Sequence, residues 1–124
     1  MLVGDLNVYL PTERIHQLLA SAGFVSAYAA VHGADPITCP TPLAAPTIPP
    51  GSSVEQRCDF VLVRQSRGTA AFAPHRLHLR PTAASLAGDT PAADDATLFP
   101  SDHYAVLATL ELECSTWGAE AAET

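Results

Sequence analysis

Lysine is absent from this chain of 124 residues: all six basic side chains are arginines, set against thirteen carboxylates, for a formal net charge of −7. Gripping a phosphate backbone by bulk electrostatics takes many Lys/Arg contacts, so that mode of nucleic-acid binding is disfavoured. A phosphate can still be held locally where a divalent cation supplies the positive charge. Cysteine is scarce, and Cys39, Cys58 and Cys114 are an odd number at wide spacing with no CxxC. A disulfide framework and a structural zinc site are therefore not expected, and a reducing setting, cytoplasmic or peripheral to a membrane, is. No apolar run approaches the ~20 residues that cross a bilayer, so no transmembrane segment is expected. The opening Met-Leu-Val-Gly-Asp has neither the basic region nor the apolar length of a signal peptide. Asparagine occurs once, at Asn7. The lack of lysine beside abundant alanine points to a GC-rich coding bias more than to function.

What is present suits one small domain or part of one, with 48% hydrophobic residues to build a core. The stretch from Phe99 to Leu112, FPSDHYAVLATLEL, organises the rest. Pro100 has no N–H and a fixed φ, so a strand begins after it. Ser101, Asp102 and His103 then place a hydroxyl, a carboxylate and an imidazole side by side. From Tyr104 both alternating faces are apolar as far as Glu111, which predicts a strand covered on both sides. Polar chemistry at the mouth of such a strand marks a candidate site.

Two other strand ends carry polar groups. Leu2 and Val3 lead into GDLN, residues 4–7, where extended geometry puts Asp5 and Asn7 on one face; taken alone the four residues read as a turn. RCDFVLVR, residues 57–64, reads as a strand with a buried run from Phe60 to Val63 and Asp59 at its entrance. A carboxylate bordering four apolar residues needs a partner, and a histidine or arginine is the natural one.

Between these, Pro11–Gly23 reads as a helix with an apolar stripe of Ile15, Leu18, Leu19 and Ala22, capped by Thr12 or opened by Pro11, and closed by Gly23; His16 falls off the stripe, toward solvent. Phe24–Val31 reads as extended. Residues 32–56 hold six prolines and read as a long irregular loop, with binding or lid roles and simple disorder evenly weighted. Residues 69–72 and 76–80 read as short strands. His75 and His78 face opposite sides of a strand, which excludes them as a metal pair. Residues 81–98, with Asp89, Asp94 and Asp95, read as a flexible loop with a solvated acidic face. Residues 115–124 read as a polar tail.

One scheme uses all the strand-end groups. Asp59 fixes the tautomer of His103, Asp102 points toward a cation, and Asp5 and Asn7 handle the attacking water and phosphoryl oxygens. Oxygen-rich ligands without a thiolate cluster suit magnesium, or manganese, better than zinc.

GDLN, RCDFVLV and FPSDHYAVLATLEL, in that order, resemble the later half of the endonuclease/exonuclease/phosphatase superfamily, the DNase I-like hydrolases. The resemblance covers residues 1–114. It implies an α/β (α+β) fold, the C-terminal half of a four-layered α/β sandwich with a mostly antiparallel mixed sheet. It also implies Mg2+-dependent phosphodiester hydrolysis, on a phospholipid or nucleic acid. Position by position it implies that Asp5 and Asn7 orient water and contact phosphate beside the metal. Asp59 pairs with the catalytic histidine, Asp102 is metal-linked, and His103 is that histidine. The helix after GDLN, then FVSAYAAVHG, and GDTP ahead of SDH are similar to neutral sphingomyelinases. The stretch from SAYAAVHG to CDFVLV is also similar to poly(A)-shortening nucleases, a second reading within the superfamily.

Members of the family also use an early asparagine, a directly metal-binding glutamate and a middle histidine or tyrosine, all ahead of GDLN. None of these is present here, and Glu13 lies on the wrong element to substitute. The expectation is therefore a fragment or half of a split protein, with a sheet face left uncovered and the missing N-terminal half as its partner. The competing reading is a non-catalytic remnant that binds a partner.

Overall fold

The computed structural model describes residues 1–7, 13–39, 41, 56–65 and 75–116, with backbone alone at 75–77 and 115–116. The expected strand at 69–72, the capping pair Pro11 and Thr12, most of the proline-rich loop and the end of the tail lie outside them. The described chain is mixed α and β with antiparallel sheets. It runs β1 (Leu2–Asp5), α1 (Arg14–Ser21), β2 (Phe24–Ser26), α2 (Ala27–His32), β3 (Asp59–Arg64), β4 (His75–Ala87) and β5 (Ala105–Thr116).

The core is β3. Its apolar run Phe60–Val63 is buried throughout, and it lies between β1 and β2, antiparallel to both. Asp59, Val61 and Val63 alternate with Phe60 and Leu62, so each face of the sheet has something to cover. The helix α2 packs against β3 and the β4–β5 ribbon, where the Nε2–H of His32 donates to the Ala84 carbonyl at 2.8 Å.

On the other face α1 is a loose cover. His16 turns inward and meets the ring of Phe60 edge-on at 5.3 Å between centroids, while Ile15 and Leu18 stand 43% and 54% exposed. The expected stripe is thus corrected. Leu19 faces the sheet with His16, and a cavity of about 280 Å³ remains between helix and sheet. An eight-residue helix with no buried residue draws its hold on the fold from one face of contacts, not from propensity. Gly23, at φ 83°, ends it as expected.

Three other expectations are corrected. Phe24–Val31 is extended only to Ser26. There the Ser26 hydroxyl accepts from the Ala29 N–H, and alanine-rich α2 follows to Gly33, whose φ of 89° closes it. Residues 81–87 are strand rather than loop. β4 continues through Pro81, and the register shifts between Pro81 and Ala83, where the missing N–H is absorbed. Finally, among the described residues β5 pairs only with β4, and it is not covered on both sides. Val106, Ala108 and Leu110 are half-buried, whereas Leu107 on the opposite face is 53% exposed. Past Leu110 the ribbon is held at its surface by Arg80, which pairs with both Glu111 and Glu113. Exposed pairs of this kind contribute little each. No described helix is long and apolar enough to cross a membrane.

Candidate active site

Antiparallel register places Asp5, the last residue of β1, directly opposite Asp59, the first of β3. The Leu6 N–H donates to the Cys58 carbonyl at 2.8 Å and closes the pairing. Two carboxylates facing each other across a ladder repel, so the site calls for a positive group. His103 supplies one: its Nδ1 lies 2.8 Å from Asp59 Oδ2, across 44 residues of sequence. Candidate ligand atoms of Asp5, Asp59 and His103 all fall within 4.8 Å of one another. His103 and Asp59 keep side-chain exposures of 28% and 20%, so the cluster is sheltered yet reachable.

Asn7 does not continue the strand. Its N–H donates to Asp5 Oδ1 at 2.7 Å, and its φ of 49° lies in the left-handed region that asparagine tolerates. The expected sharing of one extended face by Asp5 and Asn7 is therefore replaced by a turn in which the Asn7 backbone braces the Asp5 carboxylate.

His103 rides on a short polar turn. Its N–H donates to Ser101 Oγ at 3.1 Å, and the Ser101 hydroxyl donates to Asp102 Oδ1 at 3.3 Å. The Asp102 carbonyl accepts from the Thr41 N–H at 2.9 Å, and the Tyr104 N–H donates to the Thr38 carbonyl at 2.8 Å. The Asp102 carboxylate is exposed and is not one of the three converging groups. Thr38, fully buried, was not singled out in the sequence: nothing about one threonine in a proline-rich loop announces a structural contact. His75 and His78 lie along β4, and Asp89, Asp94 and Asp95 are exposed, Asp95 bonding locally to Thr97.

The Asp59 hydrogen bond raises the His103 pKa above its ordinary 6.5; partial burial opposes the rise, and the charges of Asp59, Asp102 and Asp5 add to it. Burial first, then the charge of Asp5, pushes the Cys58 thiol up to about 11, and burial with Asp102 and Asp59 raises Cys39. Both stay protonated at neutral pH, so neither is poised as a nucleophile.

A pH dependence of stability follows from His103. Its folded pKa is raised, so the ion pair's contribution is fully present below pH 6.5 and is lost as pH rises through the higher folded value. Thermal unfolding should show wild type losing stability across that window relative to Asp59→Asn. Parallel curves for the two proteins would show that the pair is not formed in solution.

Comparison with known proteins found no matching family model, no matching curated protein and no matching solved structure.

Proposed function

We propose that this chain carries the histidine–aspartate half of a metal-dependent phosphodiester hydrolase of the endonuclease/exonuclease/phosphatase type, with a sphingomyelinase-like phosphodiesterase the first candidate and a nuclease the second. The observation that carries the reading is the His103–Asp59 pair at 2.8 Å with Asp5 beside it. Three strand ends, far apart in sequence, meet in the arrangement that this chemistry uses.

The donor set fits a hard cation. Two carboxylates converge with an imidazole, and no cysteine is among the converging groups, which suits Mg2+ or Mn2+ better than zinc. Asp5 and Asp59 would hold such an ion, and when bound it would supply positive charge to the phosphoryl oxygens. The rest is work for the side chains. Asp59 accepts a hydrogen bond from the Nδ1–H of His103, which fixes the ring's orientation and leaves Nε2 for the substrate. The raised pKa of His103 keeps more of the imidazolium present near neutrality, where it can neutralise a developing oxyanion or pass a proton to the leaving oxygen. Asp5, braced by the Asn7 N–H, is placed to orient a water.

In the family the metal also needs a glutamate from an earlier strand. The 124 residues alone are therefore expected to show no measurable turnover of bis-(p-nitrophenyl) phosphate with magnesium. Joined to an N-terminal segment that supplies that glutamate and the early asparagine, the chain should hydrolyse one member of a panel of sphingomyelin, single-stranded RNA, abasic DNA and inositol phosphates, and lose the activity with chelator. A panel without a metal-dependent product would overturn the hydrolase reading and leave the non-catalytic one. That alternative draws on apolar side chains left exposed at two places, Ile15 and Leu18 on α1 and Leu107 on β5.

A further inference from the structure

We infer that Thr38 is the positioning residue that assembles the Asp59–His103 pair, although it touches neither reacting side chain. Its side-chain oxygen accepts two consecutive backbone N–H groups at the entrance of β3, from Cys58 at 3.1 Å and Asp59 at 3.2 Å. Asp59 is the first residue of β3, so this hydroxyl anchors the N–H of the residue that carries the carboxylate. The Thr38 carbonyl accepts from Tyr104 at 2.8 Å, immediately after His103, and its own N–H donates to the Gln56 carbonyl at 2.9 Å. One fully buried residue thus grips the strand that carries the acid and the turn that carries the imidazole.

The chemistry requires a hydroxyl here. A single oxygen with two lone pairs can serve two neighbouring donors, and burial makes leaving either donor unpaired costly. Valine has the same shape and no acceptor. Thr41, three residues on, is an internal contrast. It is equally buried, and its Oγ1 has no hydrogen-bond partner among the described residues, so its hydroxyl joins none of them together. The sequence separation explains the need for such a clasp. Asp59 begins β3 while His103 rides on the turn ahead of β5, a strand of the other sheet, and no strand pairing among the described residues sets the distance between them. The inference rests on the hydrolase reading only for what the pair is for; the assembly itself is independent of catalysis.

The test is nuclear magnetic resonance of the full chain, without substrate. Wild type should show a low-field, exchange-protected Nδ1–H resonance of His103, with slow exchange at the Asp59 and Tyr104 amides. Thr38→Val should lose that resonance and speed exchange at the Cys58 and Asp59 amides by about tenfold or more, as loss of a buried acceptor predicts. Thr38→Ser should restore both, and Thr41→Val should change neither. Thr38→Val retaining the resonance, Thr38→Ser failing to restore it, or Thr41→Val abolishing it would each overturn the proposal. Should Thr38→Val not fold, wild type still decides. Fast exchange at the Cys58 and Asp59 amides, relative to the centre of β3, would show that the hydroxyl does not hold them. With the spectra as expected, a panel that yields no metal-dependent product from the chain joined to an N-terminal segment supplying the glutamate would strike the proposed reaction and leave the clasp standing.

Discussion

Replacing His103 by alanine is expected to slow magnesium-dependent phosphodiester hydrolysis by about 10²–10⁴-fold, the range that positioned acid–base groups contribute. The assay uses the chain joined to an N-terminal segment carrying the glutamate that the proposed metal site calls for. His103 does two things in one place. Its ring is held through Nδ1 by Asp59 at 2.8 Å, so orientation costs nothing at the moment of reaction, and its raised pKa keeps the charged form available near neutral pH. Alanine removes both at once. Asp59→Asn should act differently, leaving an imidazole in place but taking away the charge that raises its pKa. The limb of the kcat/KM profile that requires protonated His103 should then move to lower pH, and the magnesium concentration needed should rise, because Asp59 is also one of the two carboxylates proposed to hold the ion. A His103→Ala protein within a few-fold of the parent would remove this residue from the mechanism.

The parts of the chain that were legible in sequence are those whose physics is local. RCDFVLVR announces β3 because four apolar residues in a row leave few alternatives, and Asp59 beside them had to find a partner; histidine was one of the two expected. GDLN was legible as a strand end, but the left-handed φ of Asn7 is set by the hydrogen bond to Asp5, which no spacing rule reveals. The errors fall where pairing or context decides. β4 runs on through Pro81 because β5 offers a partner on the other side of a register shift, and alanine and proline hid a strand that only the ladder stabilises. α2 follows β2 because Ser26 caps it, a choice between helix and strand that Ala and Tyr leave open. For β5 the pattern of apolar residues was sound, yet its surroundings were not in the pattern: Leu107 is apolar and exposed. Thr38 marks the limit most clearly. Its meaning lies in two N–H groups about twenty residues away and a third beyond residue 100, so no reading of the loop alone finds it.

Phe60→Ala is expected to destabilise the chain by about 3–5 kcal/mol, the cost of emptying a buried aromatic site. The described core is small, consisting of Ala27, Cys58, Phe60, Val61, Leu62 and Val63 as its buried apolar members, and Phe60 is the largest of them. Domains of this kind hold only about 5–15 kcal/mol in all, so this one change removes from about a fifth of the total to the whole of it. Collapse around the gap offers little recovery. The space beside Phe60 already contains a cavity of about 280 Å³, and α1 has no buried side chain to move in. Deleting the ring also frees His16 from its edge-on contact, a loss already counted within the cost of about 3–5 kcal/mol. Phe60→Leu keeps most of the apolar area and should cost clearly less. Urea unfolding followed by circular dichroism measures both, and a loss under about 1 kcal/mol for Phe60→Ala would show that the packing of β3 in solution is not the one described. The consequence reaches the site because Asp59 precedes Phe60 on the same strand and faces the other way. Loosening the α1 face of β3 should therefore speed amide exchange at Asp59 as well as at Val61 and Val63, tying the reactive pair to the stability of the core strand that presents it.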